Sequence, residues 1–201
     1  MPDLLAGALG EPLELGPYFT DVDRRFWQMR GPGFWKLERQ QSFREPGYDS
    51  WDAFDAGDWE KALLLLEAER GRLIGYHRRA AGAGFGTYRV RVVAEPLTPY
   101  LQWELHALKI RDECGGPIRI LRADAVTTYE DTGPLPEIYT LDTSVMYQAV
   151  YDETGTLASA VRYVAPELVV ACQSFIQSLY EAGEPIADYF ERAVASLPPP
   201  T

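Results

Sequence analysis

The amino-acid sequence predicts an α/β protein with a mixed sheet, formed by a strand–helix–strand crossover, a C-terminal antiparallel hairpin and flanking helices. Residues 88–121 contain a β-branched strand, a helix and a second strand, and this helix is long enough to connect two parallel strands. Residues 145–164 contain two further strands joined by Asp152-Glu-Thr-Gly155, a turn sequence that favours antiparallel pairing. The two kinds of pairing together predict a mixed sheet.

The crossover helix has start and stop signals at its two ends. Thr98 is a suitable N-cap, because its side chain can accept a hydrogen bond from a free backbone N–H, and the proline that follows suits the first helical position. Gly115 and Gly116 end the helix. We therefore expect parallel strands around Val90 and Ile118.

Other helices and strands are expected on both sides of this unit. Apolar residues at helical spacing predict an amphipathic helix over about 17–29. Ser50 and Asp58 are suitable N-caps for two more helices, and Pro166 begins another that carries Phe175 on its apolar face. Together with the crossover, the strand predictions centre on Val90, Ile118, Leu141, Val150 and Val161.

The chain is expected to form one domain after a short arm. Leu alternates with Gly, Pro and Glu over residues 1–16, which predicts a flexible N-terminal arm. No linker separates two cores in the remainder, so residues 17–197 are expected to form a single α/β domain. Within it, an N-terminal helical layer over about 17–82 precedes a core over about 87–183.

Composition excludes several classes of protein. The formal charge of −11 over 201 residues argues against general nucleic-acid binding, because a phosphate backbone requires a basic surface. No secretory signal or apolar run of membrane-spanning length is present, so we expect a cytoplasmic protein that binds no membrane. Cys114 and Cys172 are expected to be buried free thiols, although a disulfide between them is an alternative. Two Cys and two His are too few for a structural zinc site, and we expect neither metal nor cofactor.

A cluster of charged residues is the main candidate for a functional site. On the crossover helix Glu104 and Arg111 fall within the apolar arc, and a charge that points into a core needs a partner. The available partners are Arg89 and Arg91 on the preceding strand and Arg119 on the next one. One interpretation is a buried ion-pair network that fixes strand–helix register. The other is a polar pocket at the strand ends, where the arginines bind a small anionic ligand and Glu104 orients them.

The remaining candidates have simpler structural explanations. His106 lies with Gln102 on the side of the crossover helix that is expected to face solvent. Asp142 is a conceivable ligand, but Asp-Thr-Ser between two strands is typical of a turn. The glycine-rich residues 82–86 precede a strand instead of joining a strand to a helix, which argues against a phosphate-binding loop. No catalytic residue is assigned.

Several segments carry a resemblance to a known family. They are Arg89-Val-Arg-Val-Val, Glu95-Pro-Leu-Thr, Tyr100-Leu, Glu104-Leu, Ile118-Arg-Ile-Leu and Leu141-Asp142. They resemble an actinobacterial domain-of-unknown-function family with the run R-V-R-V-V-x-x-P-L-T-x-Y-L-x-x-E-L. The family's aromatic-rich segment before the aspartate is replaced here by Glu137-Ile-Tyr-Thr-Leu. Members are often encoded beside helix-turn-helix regulators, so the resemblance implies a regulatory role with a protein partner.

The order of elements also resembles, more weakly, a half-unit of the phospholipase-D-like fold. Enzymes of that superfamily need His-x-Lys and a nearby aspartate at the end of a strand. The nearest match here is His106-Ala-Leu-Lys109, which has the wrong spacing and lies in the middle of a predicted helix. The resemblance therefore implies a shared fold without phosphodiesterase chemistry.

Two functional hypotheses follow from these observations. The first is a non-enzymatic regulatory or protein-interaction protein that acts with a helix-turn-helix regulator, and it predicts an exposed aromatic patch around Trp27, Trp35 or Trp51. The alternative is a binding protein or enzyme for a small anionic ligand, and it predicts an open concave pocket. The ligand-binding residues of this alternative are Arg89, Arg91, Glu104, Arg111 and Arg119.

Overall fold

The computed structural model describes residues 4–200, and this part of the chain contains one sheet of eight strands. The strands are β1 (Glu11–Glu14), β2 (Phe34–Glu38), β3 (Thr87–Val93), β4 (Ile118–Arg122), β5 (Ile138–Leu141), β6 (Val145–Tyr151), β7 (Leu157–Tyr163) and β8 (Glu184–Pro185). Their order across the sheet is β1-β7-β6-β5-β2-β3-β4-β8.

Helices lie on both sides of this sheet. They are α1 (Leu15–Phe26), α2 (Asp49–Asp55), α3 (Trp59–Ala68), α4 (Arg70–Gly82), α5 (Pro99–Glu113), α6 (Pro166–Ala182) and α7 (Ile186–Ala193), with a 3-10 helix at Ala123–Tyr129. No helix within residues 4–200 is long and apolar enough to cross a membrane.

The predicted mixed sheet is confirmed. β3 pairs in parallel with both β2 and β4, whereas β5, β6 and β7 pair antiparallel. α5 connects β3 to β4, and the hydroxyl of Thr98 accepts a hydrogen bond from the N–H of Leu101 at 3.1 Å, as expected of an N-cap. Gly155 ends the turn between β6 and β7 with a φ of 84°, a left-handed conformation that a side chain disfavours.

The two faces of the sheet differ in chemistry because side chains alternate along each strand. Val90 and Val92 of β3 point towards α6 and lie in an apolar core with Phe175 and Ile176. We call this side the α6 face. The other side, which we call the α5 face, carries Arg89 and Arg91, and the α-helices other than α6 cover it.

α5 is more deeply enclosed than the sequence predicted. Gln102, expected to face solvent, is buried, and its amide donates a hydrogen bond to the carbonyl of Pro198 at 2.6 Å. The ring of His106 packs against Trp59 of α3 and Phe190 of α7. The expectation of a solvent-facing side was therefore wrong for Gln102, and His106 is only half-exposed, because α3, α7 and the C-terminal residues cover this part of the helix.

Two local expectations also require correction. The flexible arm predicted over residues 1–16 contains β1, which pairs antiparallel with β7, while residues 1–3 lie outside the described residues. Ser50 does not cap a helix. Its hydroxyl donates to the carbonyl of Ala62 at 2.8 Å and accepts from the indole N–H of Trp103 at 3.0 Å, so it joins α2 to α3 and α5. Cys114 and Cys172 are buried and unbridged, as predicted.

Candidate functional site

A cavity of about 680 Å³ lies on the α5 face of the sheet, between α1 on one side and α3, α4 and α5 on the other. We call it the central cavity. Its floor is formed by Lys36 and Glu38 of β2 and Arg89 of β3. These residues lie within the strands, so the pocket expected at the strand ends is instead over the face of the sheet. Its size is typical of small-molecule sites, which range from roughly 300 to 1,000 Å³.

Aromatic and charged side chains dominate the lining of the central cavity. Phe19 of α1 lies at its rim and is 55% exposed. The aromatic lining residues are Phe19, Phe43, Tyr48, Tyr100, Trp103 and Tyr151. The charged lining residues are Lys36, Glu38, Arg44, Glu45, Glu69, Arg72, Arg89, Glu104 and Arg111.

Glu38 is held between two cations on the floor. The Nζ of Lys36 lies 2.5 Å from one of its carboxylate oxygens, and the Nη1 of Arg89 lies 2.6 Å from the other. Burial by itself would raise the pKa of the Glu38 carboxyl, but the charges of Arg89 and Lys36 outweigh that effect and lower the pKa to about 2. Glu38 is therefore ionised, and one carboxylate serves two cations.

Arg91 and Glu104 form a second ion pair, which is buried between β3 and α5. The Nε of Arg91 donates to Glu104 at 2.7 Å, and its Nη1 donates to the carbonyl of Val92 at 3.2 Å. Burial raises the pKa of the Glu104 carboxyl, while Arg91 opposes that rise and the charge of Glu38 adds to it. This pair matches the ion-pair network that the sequence suggested, and Arg91 itself does not line the cavity.

Arg111 differs from the other arginines of this face. It lies two turns after Glu104 on α5 and lines the central cavity. Within residues 4–200 it has no acidic side chain at salt-bridge distance. Burial lowers the pKa of the Arg111 guanidinium, and the nearby charge of Arg89 lowers it further. Arg111 is thus a half-buried cation without a paired anion.

Arg119 does not join this cluster. The parallel register pairs it with Val90, which places it on the α6 face, and Ile118 and Ile120 take the positions on the α5 face. Its guanidinium carbon lies 5.3 Å from the centre of the Tyr180 ring. The expectation that Arg119 converges with the other arginines was wrong, because neighbouring residues of a strand point to opposite faces.

Asp142 shapes a turn and is unavailable as a ligand. Its carboxylate accepts hydrogen bonds from the backbone N–H groups of Arg30 at 2.7 Å and Gly33 at 3.0 Å. Its φ of 51° lies in the left-handed region, which Asp tolerates better than most residues. The turn interpretation of the Asp-Thr-Ser segment agrees with this geometry.

Lys36 and Glu38 are residues of the cavity floor that the sequence analysis missed. Their signal is the alternation of Phe34-Trp-Lys-Leu-Glu, which places both side chains on one face of a strand. Because β2 pairs in parallel with β3, this face is shared with Arg89. The alternation was visible in the sequence, but the identity of the neighbouring strand was not.

Residues 20–191 match a sequence family described as a domain of unknown function, DUF6879. The chain belongs to this family. No curated protein shows significant similarity to it. The DUF6879 region includes the whole charged lining of the central cavity, and of the lining residues only Leu15 and Phe19 lie outside it.

Proposed function

We propose that this DUF6879 protein binds a small organic anion in the central cavity and that the binding has a regulatory, non-enzymatic role. The observation that carries the proposal is Arg111, a cation that lines the cavity and has no acidic partner within residues 4–200. Removing a charge from water is costly unless a partner of opposite charge replaces the solvent. An anionic ligand would supply that partner.

The charges of the floor support this proposal. Lys36 and Arg89 share the carboxylate of Glu38, while Glu104 is occupied by Arg91. Lys36, Arg89 and Arg111 are therefore three cations near a single available carboxylate, that of Glu38. The excess positive charge favours an anion, and the planar guanidinium group suits a carboxylate or a phosphate.

The lining chemistry favours binding over turnover. The described residues that line the cavity include no His, Cys or Ser, the side chains most often used for proton transfer and covalent catalysis. Aromatic walls with a small number of charged groups are typical of ligand pockets. We therefore propose a ligand-binding role in preference to an enzymatic one.

We propose a helix-turn-helix regulator as the protein partner that responds to the ligand, on the basis of the family resemblance. The aromatic residues first considered for such a contact pack within the protein. Trp51 is buried, Trp35 stacks on Tyr88, and Trp27 contacts Tyr76. The exposed ring of Phe19 at the cavity rim is a better candidate, because a partner there would be affected by cavity occupancy.

A thermal-shift measurement with small anions, one of them inorganic as a comparison, tests the proposal. Benzoate, 2-naphthoate, citrate and inorganic phosphate form a suitable first panel. A ligand that binds only the folded state at 100 times its Kd stabilises by about 2.7 kcal/mol, which raises the melting temperature measurably.

We expect Arg111→Gln to abolish the shift and Arg78→Gln, which changes an exposed arginine of α4, to retain it. Unchanged melting temperatures with every anion, or an equal shift in Arg111→Gln, would contradict anion binding in this cavity.

A further inference from the structure

Arg111 and Glu45 lie towards different ends of the central cavity. Arg111 lies near the C-terminal end of α5, and Tyr100 lies near its N-terminal end. The two residues are eleven positions apart on one helix, which corresponds to about 16 Å along its axis. Both line the cavity, so the cavity extends along most of α5.

An acidic side chain marks the Tyr100 end. Glu45 lines the cavity there, and one of its carboxylate oxygens accepts a hydrogen bond from the hydroxyl of Tyr100 at 2.5 Å. Within residues 4–200 Glu45 has no basic side chain at salt-bridge distance. A second anionic group on a ligand would meet this carboxylate and be repelled, whereas a hydrogen-bond donor would be accepted.

The walls between the two ends are rich in aromatic rings. Phe43 packs against Tyr151 with ring centres 4.6 Å apart, and Tyr48 packs against Trp103 at 5.9 Å. These rings fix one another, so the pocket is shaped before a ligand enters. Aromatic walls favour a flat apolar body that can stack or make edge contacts with them.

We infer that the ligand is an elongated aromatic molecule with a single oxyanion, a carboxylate or a phosphate, which binds at Arg111 while the ring system extends along α5 towards Glu45. The inference rests on the proposed anion binding and specifies the ligand class. It excludes compact anions such as citrate, which lack the apolar body, and two-headed anions, whose second charge would meet Glu45.

Isothermal titration calorimetry with matched probes tests this inference. The probes are 2-naphthoate, 2-naphthyl phosphate, the neutral 2-naphthamide, 2,6-naphthalenedicarboxylate, decanoate and citrate. We expect binding of 2-naphthoate or 2-naphthyl phosphate, and these two probes distinguish a carboxylate site from a phosphate site. The amide and the dicarboxylate should bind at least tenfold more weakly, because one lacks the oxyanion and the other brings a second charge to Glu45.

Two variants assign the ends of the cavity. Arg111→Gln should remove binding of the probes that carry a single oxyanion. Glu45→Gln should restore binding of the dicarboxylate to within about threefold of 2-naphthoate, because the repelling carboxylate is gone; a threefold difference corresponds to about 0.7 kcal/mol. Glu113→Gln, an exposed change on α5 outside the cavity lining, serves as the matched control.

The possible outcomes separate the inference from the proposed function. Binding of citrate or decanoate but not of the naphthyl probes would overturn the aromatic ligand and leave anion binding intact. Equal affinity of the wild-type protein for the dicarboxylate and the monocarboxylate would contradict the inference that the ligand carries a single oxyanion. Absence of binding for every anion would overturn the proposed function as well.

Discussion

β3 contributes to two unlike environments, one on each face of the sheet. On the α6 face Val90 and Val92 join an apolar core that α6 and the 3-10 helix cover. On the α5 face Arg89 and Arg91 each need a specific carboxylate, which β2 and α5 supply. The apolar face gains from many small contacts, none of which is indispensable. The charged face depends on a few pairs, so single substitutions there should have larger and more selective effects.

The largest expected effect is that of Glu38→Gln. This change keeps the volume of the side chain but leaves Lys36 and Arg89 without their shared carboxylate on a largely buried floor. Breaking a buried ion pair typically costs about 3–5 kcal/mol. We expect a loss of that order in the free energy of unfolding, measured with urea at pH 7.

Glu113→Gln is the control for this experiment. Glu113 also contacts two cations, Lys109 and Arg70, but on the exposed surface, where such pairs contribute about 1 kcal/mol or less. Equal unfolding midpoints for the two variants would contradict the expectation that the ion pairs of the cavity floor contribute more stability than exposed ones.

A smaller effect concerns the pH dependence of stability. The pKa of Glu104 in the folded state is raised from 4.5 to about 7 by burial, against the attraction of Arg91. A raised pKa means that the folded state holds the proton more tightly, so this contribution is fully present below about pH 4.5 and is lost as the pH rises through about 7. Glu38 behaves in the opposite way, because its lowered pKa contributes stability above pH 4.5 that is lost as the pH falls towards 2.

Unfolding of the wild type and of Glu104→Gln at pH 5, 6, 7 and 8 measures this contribution. We expect the wild type to lose stability relative to the variant across this range, since Gln does not titrate. Other groups that titrate here, including the buried His77, whose pKa is lowered to about 4 by burial and by Arg111, are common to both proteins and cancel in the difference. A pH-independent difference would show that Glu104 does not change its protonation between pH 5 and 8.

The smallest expected effect comes from two arginines on opposite faces. Arg119→Gln should lower stability by about 0.5–1 kcal/mol, because it removes the contact of the guanidinium with the Tyr180 ring. Arg111→Gln should leave stability unchanged or raise it slightly in the absence of ligand, since it removes an unpaired cation near Arg89. Unfolding in guanidinium chloride, in ligand-free buffer, compares the two variants. A loss above about 1 kcal/mol in the free energy of unfolding for Arg111→Gln would mean that a group within the protein is paired with Arg111.

Local signals in the sequence predicted much of the fold. The Thr98 cap, the turn at Asp152 and the apolar face around Phe175 each depend on a few neighbouring residues, and each lies where it was expected. These signals also placed β3 to β7, because strand and helix periodicities are local properties, whereas β1 fell in the predicted arm and β8 was not expected.

The candidate site was predicted only in part, because it depends on long-range register. Arg89, Arg91, Glu104 and Arg111 do meet on one face, but Arg119 lies on the other. A shift of one residue in the parallel pairing of β3 with β4 would exchange the faces. The local pattern of β4 does not decide between the two registers, because its neighbours Ile120 and Leu121 are both apolar and buried on opposite faces. The burial of one side of α5 by α3 and α7 could not be predicted for a similar reason, because these helices are distant from α5 in the chain.

The outer strands of the sheet restrict how another protein can bind. Within residues 4–200 the sheet ends in β1, which has four residues and carries Glu11, Pro12 and Glu14, and in β8, which has only two. Short edge strands with charges and prolines offer few free N–H and C=O groups for pairing with a foreign strand. Strand addition is therefore a poor mode of association at either edge, and a partner is expected to dock on helices instead.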